Sequence, residues 1–134
     1  MQETPLDTVE EGFRLLCYKF ERSRVPDRIT AWFQEGEILI HCVISSSNLH
    51  TVTFAAVDFI RVSEESQDRF YRELVRRNLA ISHGRFGATE AGIIVYEHQV
   101  RIPKEGLGVD DIRWAMGIML NTVATEYKTL QHFI

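Results

Sequence analysis

Hydrophobic residues recur at two spacings along the chain, and these spacings predict three helices and five strands. Apolar residues fall every three or four positions in segments of about 4–23, 63–81 and 109–132, which is the period of a helix that buries one side. Runs rich in β-branched and aromatic residues predict strands at about 28–34, 37–44 and 51–62, and a hairpin at about 83–89 and 92–102. The predicted order is helix, three strands, helix, two strands, helix.

This order predicts an α+β domain with an antiparallel sheet of about five strands and three helices. Strands that follow one another through short turns favour antiparallel pairing. Dinucleotide-binding folds alternate strand with helix, which this order does not. In the second strand, Ile38 and Ile40 share one face while Leu39 and His41 share the other. Because both faces carry apolar residues, the pattern is compatible with a sheet covered on both sides.

Length, charge and cysteine content narrow the class of protein. The chain has 134 residues, which predicts one domain over 1–134 with a single core. Its net charge of −4 disfavours nucleic acid and anionic lipid as partners. No apolar run approaches the roughly 20 residues of a membrane span, and the polar, acidic start does not resemble a signal peptide. Cys17 and Cys42 lie in apolar segments, which predicts buried, reduced thiols in a cytoplasmic protein.

The segment His83-Gly84-Arg85-Phe86-Gly87 has the glycines of a phosphate-binding loop, but in the wrong place. Phosphate loops follow a strand and precede a helix, so that the positive end of the helix faces the anion. Here the glycines follow a helix and precede a strand. We therefore expect a structural corner, in which Gly84 lets the chain leave the helix and Phe86 turns inward. Pro103 is expected to end the last strand, because it has no N–H to donate.

Asn78 lies within the apolar side of the second predicted helix. At about 100° per residue, that side comprises Phe70, Tyr71, Leu74, Val75 and Ile81. A buried amide without partners costs about 1–3 kcal/mol, so the side chain should bond to backbone in the loop between Ser82 and Gly87. The alternative is an amide that contacts a ligand in a pocket.

No catalytic, metal-binding or cofactor-binding pattern is found along the chain. The five histidines include no His-x-x-x-His pair, and His41 and Cys42 point to opposite faces of a strand. A composite site assembled across strands stays open. Acidic residues come as neighbours on helices, where they diverge by about 100° and make poor paired acids and bases. We expect no enzyme activity, no metal and no cofactor.

Two helix surfaces are candidate partner-binding sites. Arg69, Arg72 and Arg76 form a stripe opposite the apolar side of the second helix, which is either a solvated face or a docking strip for an acidic partner. On the third helix, Trp114 and Ile118 lie about 200° and 240° from Ile112 on the core side. Either Leu15 and Tyr18 of the first helix cover them, or the face binds another chain.

The order and spacing of these elements resemble the YbjN-like family, most clearly from residue 64 to the end. The similar features are Asn78 at a helix end, Gly84-Arg85-Phe86 at the start of a hairpin, the apolar strand 93–96, Pro103, and the long helix from Val109. The resemblance transfers no catalytic residue. It implies a fold shared with type III secretion chaperones, which bind proteins as dimers.

Together these observations predict a non-catalytic protein-interaction or chaperone-like module, cytoplasmic and homodimeric. The alternative is a small-ligand sensor with a cavity between sheet and helices. An exposed apolar surface would favour the first function, and polar groups converging in one pocket would favour the second.

Overall fold

Three helices pack on a six-stranded antiparallel sheet in the computed structural model, which describes residues 3–134. The elements are α1 (Pro5–Leu15), β1 (Glu21–Arg24), β2 (Asp27–Glu35), β3 (Ile38–Ser45), β4 (Thr51–Arg61), α2 (Gln67–Ala80), β5 (Arg85–Ala88), β6 (Ile93–Arg101) and α3 (Val109–Leu130). Short 3-10 turns precede α2 and follow α3. The strand order across the sheet is β1-β2-β3-β4-β6-β5. The predicted α+β class is confirmed, with six strands where the pattern predicts five.

The additional strand, β1, occupies residues that the pattern assigns to the first helix. Thr4 and Asp7 form a capping box that starts α1. The helix then ends at Leu15 because Cys17 takes a left-handed conformation, with φ of 61°. The N–H of Tyr18 donates to the carbonyl of Phe13 at 3.0 Å, which closes the helix end. Cys17 fills a position that usually takes glycine, so the sequence carries no clear stop signal there.

The early end of α1 also changes the environment of one cysteine. Cys17 is exposed, so the prediction of two buried thiols is wrong for this residue. Cys42 is buried on β3, and burial raises the pKa of its thiol to about 12. A buried thiol with that pKa stays protonated near neutral pH and is a poor nucleophile.

Only one face of the sheet is covered by helices. Fully buried residues alternate with partly exposed ones along each long strand, and all the buried ones share the face that packs on the helices. That face carries Ile29, Ala31, Ile40, Cys42, Ile44, Val52, Phe54, Ala56, Ile94 and Tyr96. The opposite face has no buried residue in any described strand. The apolar residues of the second predicted strand, which is β3 in the structure, are compatible with a sheet covered on both sides. The structure has a sheet covered on one side.

A buried arginine ties β1 to α1. The guanidinium of Arg22 lies 3.1 Å from Asp7, 3.3 Å from Glu10 and 2.7 Å from Asp27. Its side chain is almost fully buried. Because this guanidinium contacts three carboxylates, its buried positive charge is paired. The network holds the edge strand against the first helix, where the apolar contact is small.

The end of β6 is close to the predicted position. The strand ends at Arg101, and Pro103 lies two residues further on. The carbonyl of Pro103 accepts from the N–H of Gly106 at 2.9 Å, so the proline opens a turn. This turn leads directly into α3.

Candidate protein-binding surfaces

The loop between α2 and β5 is a tightly fixed corner. Gly84 has φ of 73°, which side chains other than glycine rarely adopt. A Cβ at Gly84 would collide with the Tyr96 side chain. The Tyr96 hydroxyl donates to the carbonyl of His83 at 2.7 Å. The glycine is therefore required by both the backbone conformation and the close approach of the tyrosine, and the phosphate-loop interpretation gains no support from this geometry.

Asn78 contacts the backbone of this segment, within the range that the sequence predicts. Its Nδ2 donates to the carbonyl of Phe86 at 3.0 Å, and its Oδ1 accepts from the N–H of Phe86 at 2.6 Å. Phe86 is buried in the core. Both backbone groups of Phe86 are thus satisfied by a helix side chain on the outer side of β5. Whether the fold depends on this contact stays a prediction.

Two histidines and a tryptophan form a cluster that spacing along the sequence does not indicate. The rings of His83 and His98 lie 5.0 Å and 5.6 Å from the ring of Trp114, and 5.7 Å from each other. His98 is 8% exposed, and its Nδ1 has no hydrogen-bond partner among residues 3–134. Burial, and then the nearby His83, lower the pKa of His98 below its usual 6.5. Residues 3–134 contain no group of three or more His, Cys, Asp or Glu side chains that could hold a metal ion.

Trp114 is covered by these histidines and not by the first helix. Leu15 is exposed, and the ring of Tyr18 packs against Phe13 and Phe33. Half of the Trp114 side-chain surface stays accessible, at 50% exposure, and Ile118 is half-buried. The face therefore keeps apolar area that no described part of the chain covers. Its role in partner binding stays a prediction.

The outer face of α2 carries two aliphatic side chains beside its arginines. The outer face of α2 is defined here as Arg72, Val75, Arg76 and Leu79, which lie three or four residues apart on one side of the helix. Leu79 is 85% exposed and Val75 is 61% exposed. The assignment of Val75 to the buried side is therefore wrong, because the helix turns that residue past the edge of the core. Sequence reasoning overlooked Leu79, although the same helical spacing places it beside Arg72 and Arg76.

The arginines of α2 are used in different ways. Arg77 forms a two-bond contact with Glu126 of α3, at 2.8 Å and 2.9 Å, and so joins the two helices. Arg69 donates to the carbonyl of Phe133 at 3.2 Å. Arg76 lies 3.7 Å from Glu73, a long ion pair with an exposed guanidinium. Arg72 is exposed, with no ion pair in the described chain. Arg72 and Arg76 are thus the arginines whose charge is most available to a partner.

The uncovered side of the sheet, which we call the open face, has an apolar centre. Trp32 of β2 is 59% exposed and its ring stacks on His41 of β3 at 4.2 Å. Leu39 is 54% exposed. In register with Trp32 and His41 lie Val57 and Val95 of the next two strands, both partly exposed. A sheet face left in water usually carries polar residues, so these side chains indicate a surface that becomes covered.

A cleft of about 580 Å³ separates the β2–β3 turn from the second half of α3. It is lined by Glu35, Gly36, Glu37, Ile38, Asn121, Ala124, Thr125, Tyr127, Lys128 and Gln131. Its walls mix carboxylates, amides and one lysine with about as much apolar surface, so they are less apolar than the pockets that hold drug-sized ligands.

The helices give no sign of a membrane-crossing segment. Within the part of the chain that the structure describes, none combines the length and the hydropathy that crossing a bilayer requires.

These features define an α+β domain with helices on one side of its sheet and two exposed surfaces that mix apolar and charged groups. The chain belongs to the YbjN family, whose model matches residues 5–132 and is described as "Putative bacterial sensory transduction regulator". A solved structure, described as YbjN, "a putative transcription regulator from E. coli", is similar with a TM-score of 0.69 and 13% identity. The match covers 90% of this chain and 86% of that one. At that identity the likeness concerns the fold alone. No curated protein matches the chain.

Proposed function

We propose that this chain is a non-catalytic regulatory module that acts by binding a protein partner, as a cytoplasmic homodimer. The observation that carries the proposal is the outer face of α2, where exposed Val75 and Leu79 adjoin the available charges of Arg72 and Arg76. Aliphatic anchors beside arginines suit a partner segment that is amphipathic and acidic. A chaperone-like role would use the same surface to hold such a segment of a client.

The family description supports regulation without naming its target. We place the target among proteins because the net charge of −4 works against binding a phosphate backbone. Trp114 and Ile118 extend the proposed surface, since Trp114 contacts His83 in the loop that directly follows α2. The cytoplasmic location rests on the two free cysteines, Cys17 and Cys42.

The test is affinity capture from the native organism with identification of the bound proteins. The wild-type chain is compared with Arg72→Glu/Arg76→Glu, which reverses the charge of the outer face. A matched control, Lys19→Glu/Lys104→Glu, makes the same change in net charge at two exposed lysines elsewhere. We expect the arginine variant to lose at least about 90% of a specific partner, and the lysine variant to retain it. Equal recovery of the partner by all three proteins would mean that Arg72 and Arg76 only form a solvated surface and do not bind it.

A small-ligand sensor is the second candidate function, favoured by the cleft between the β2–β3 turn and α3. The carboxylates, amides and lysine in its walls suit a small charged metabolite better than an apolar one. Filling the cleft with Ala124→Trp should abolish any rise in melting temperature that a low-molecular-weight extract of the native organism produces. If the extract leaves the melting temperature of the wild-type chain unchanged, or shifts both proteins equally, the cleft has no role as a sensor site.

A further inference from the structure

We propose that the open face of the sheet is the surface through which two copies of this chain form a homodimer. The proposal locates the homodimer named in the proposed function and rests on it in that respect. The centre of the face is a row of side chains in register on four neighbouring strands: Trp32, His41, Val57 and Val95. None of them is fully buried, and no described helix packs on this side.

The face has the dimensions of a dimer interface. The neighbouring strands β2, β3, β4 and β6 each carry at least four outward-facing residues, and the short β5 adds two. At ordinary sheet spacings the projected area is about 580 Å², and the accessible area of projecting side chains is larger. A standard interface buries about 800 Å² on each partner. A sheet face of about this size, with an apolar centre and polar margins, is comparable with one partner's share of such an interface.

A two-fold axis through the centre of the face stacks two copies of the sheet with their rows in register. A two-fold axis parallel to the strands, passing between β3 and β4, reverses the order β1-β2-β3-β4-β6-β5. It therefore places β1 over β5 of the partner, β2 over β6 and β3 over β4. Each row of side chains meets the same row of the other copy, and the two sheets stack about 10 Å apart in the aligned manner of a sandwich.

Within this arrangement large side chains meet small ones. Trp32 lies over the partner's Val95, and Val43 lies over the partner's Ala55, since each pair occupies one row on strands that the axis exchanges. Large against small is how facing layers interdigitate without voids. Trp32 is a typical anchor for the centre of an interface.

The charges at the two ends of one row are complementary as well. Glu21 of β1 and Arg85 of β5 close a single cross-strand row that runs through Thr30, Val43, Ala55 and Glu97. Both end residues are exposed, and neither forms an ion pair in residues 3–134. The two-fold axis brings Glu21 to the partner's Arg85, and it does so twice in each dimer. This charge match favours a second copy over an unrelated protein as the occupant.

The experiment measures association of the purified full chain by sedimentation velocity over a dilution series. Val57→Lys places a charge at the centre of the interface and should raise the dissociation constant at least about hundredfold. Leu15→Lys is the matched control, a lysine in place of an exposed aliphatic side chain on α1, and should leave the dimer unchanged. Circular dichroism checks that both variants keep the fold.

Charge reversal at the edges of the face provides a test that does not depend on whether the centre of the sheet tolerates a lysine. Glu21→Arg alone and Arg85→Glu alone should each raise the dissociation constant about tenfold, because each creates two like-charge contacts per dimer. The double variant Glu21→Arg/Arg85→Glu should restore the wild-type value. A monomer at all concentrations, or a dimer indifferent to these substitutions, overturns the proposal. Partner capture that still depends on Arg72 and Arg76 would then leave partner binding through the outer face of α2 standing, without the homodimer.

Discussion

Asn78 gives the outer side of β5 the two hydrogen bonds that a neighbouring strand would give. Its amide binds both the N–H and the carbonyl of Phe86, in the middle of a four-residue edge strand. Open edges invite pairing with other chains, and proteins cover or shorten them. We infer that Asn78 both anchors the loop and blocks this edge, so that association is left to other surfaces.

Asn78→Leu should therefore destabilise the protein by about 1–3 kcal/mol, the cost of leaving the partly buried donor and acceptor of Phe86 without partners. Chemical denaturation followed by circular dichroism measures the loss. Asn121→Leu, at an exposed position on α3, is the control and should stay within about 0.5 kcal/mol of wild type. Unchanged stability in the Asn78 variant would remove the structural role from this residue.

His98 should make the stability of the fold depend on pH near neutrality. Burial and the adjacent His83 lower its pKa in the folded state below the usual 6.5. The unfolded chain then binds the proton more tightly than the folded one, so stability is complete above that pH and falls as pH drops from 6.5 towards the folded pKa. Trp114, in contact with both histidines, reports the change through its fluorescence.

His98→Phe should flatten the stability curve in that pH window, because phenylalanine has no proton to bind. Urea denaturation between pH 7.5 and about pH 5 compares the variant with wild type. His50→Phe, in an exposed loop, is the control and should retain the wild-type slope. A steep slope that survives in the His98 variant would assign the effect to other groups.

At the scale of elements, α1 is held by its first turn as well as by its apolar side. Asp7 accepts from the Thr4 N–H at 2.9 Å and also contacts Arg24 and Arg22. The bond from the Thr4 N–H, and then the arginines, hold the pKa of the Asp7 carboxyl well below its usual 3.8. The carboxylate therefore closes the helix start and joins α1 to β1 at the same time.

Asp7→Asn should lower the stability of the protein at pH 7, and the difference from wild type should shrink as pH falls below 3.8. A depressed carboxyl pKa adds stability above its unfolded value, and this stability is lost as the folded carboxylate takes up its proton. Denaturation curves at pH 7 and pH 3 measure both effects, with the exposed Glu11→Gln as control. A difference that is the same at both pH values would mean that the charge of Asp7 is not what matters.

The exposed part of α3 belongs to the same proposed surface as α2. Trp114→Ser/Ile118→Ser should leave a folded protein that captures less partner, because a truncated interface anchor commonly costs about 2 kcal/mol or more of binding. The comparison is quantitative capture beside the wild-type chain, with circular dichroism as the check on folding. A variant that unfolds would show that this face is needed inside the chain and is not available to a partner.

At the scale of the whole molecule, the periodicity of the sequence predicts the order of the helices and most strands correctly. It fails at residues 16–24, because Cys17 ends α1 in a left-handed conformation. Cysteine is not a residue from which that conformation is predicted. The periodicity cannot show which face of the sheet stays open, since Leu39, His41 and Val43 look as apolar as residues under a helix. It also cannot bring His83 and His98 together, because their contact depends on how α2, β6 and α3 pack.

The contact of Asn78 was predictable because one amide within an apolar helix side has few places to bond. The outer face of α2 was predictable in its arginines and less so in Val75 and Leu79, since aliphatic residues on a helix are ordinarily assigned to the core. Whether an apolar side chain is exposed depends on which elements pack over it. Those elements are distant in the sequence, so the local pattern does not show them. The structure was therefore needed to find the surfaces on which the proposed function rests.

The most direct measurement is site-specific photocrosslinking in the native organism, with a photoreactive residue at position 79. Position 25 serves as the control, because Leu79 and Val25 are both strongly exposed, at 85% and 93%. Binding through the outer face of α2 predicts a discrete covalent adduct with an acidic partner protein from position 79 and none from position 25. It also predicts that Arg72→Glu/Arg76→Glu removes the adduct. The absence of any adduct from position 79, or the same adducts from both positions, would contradict it.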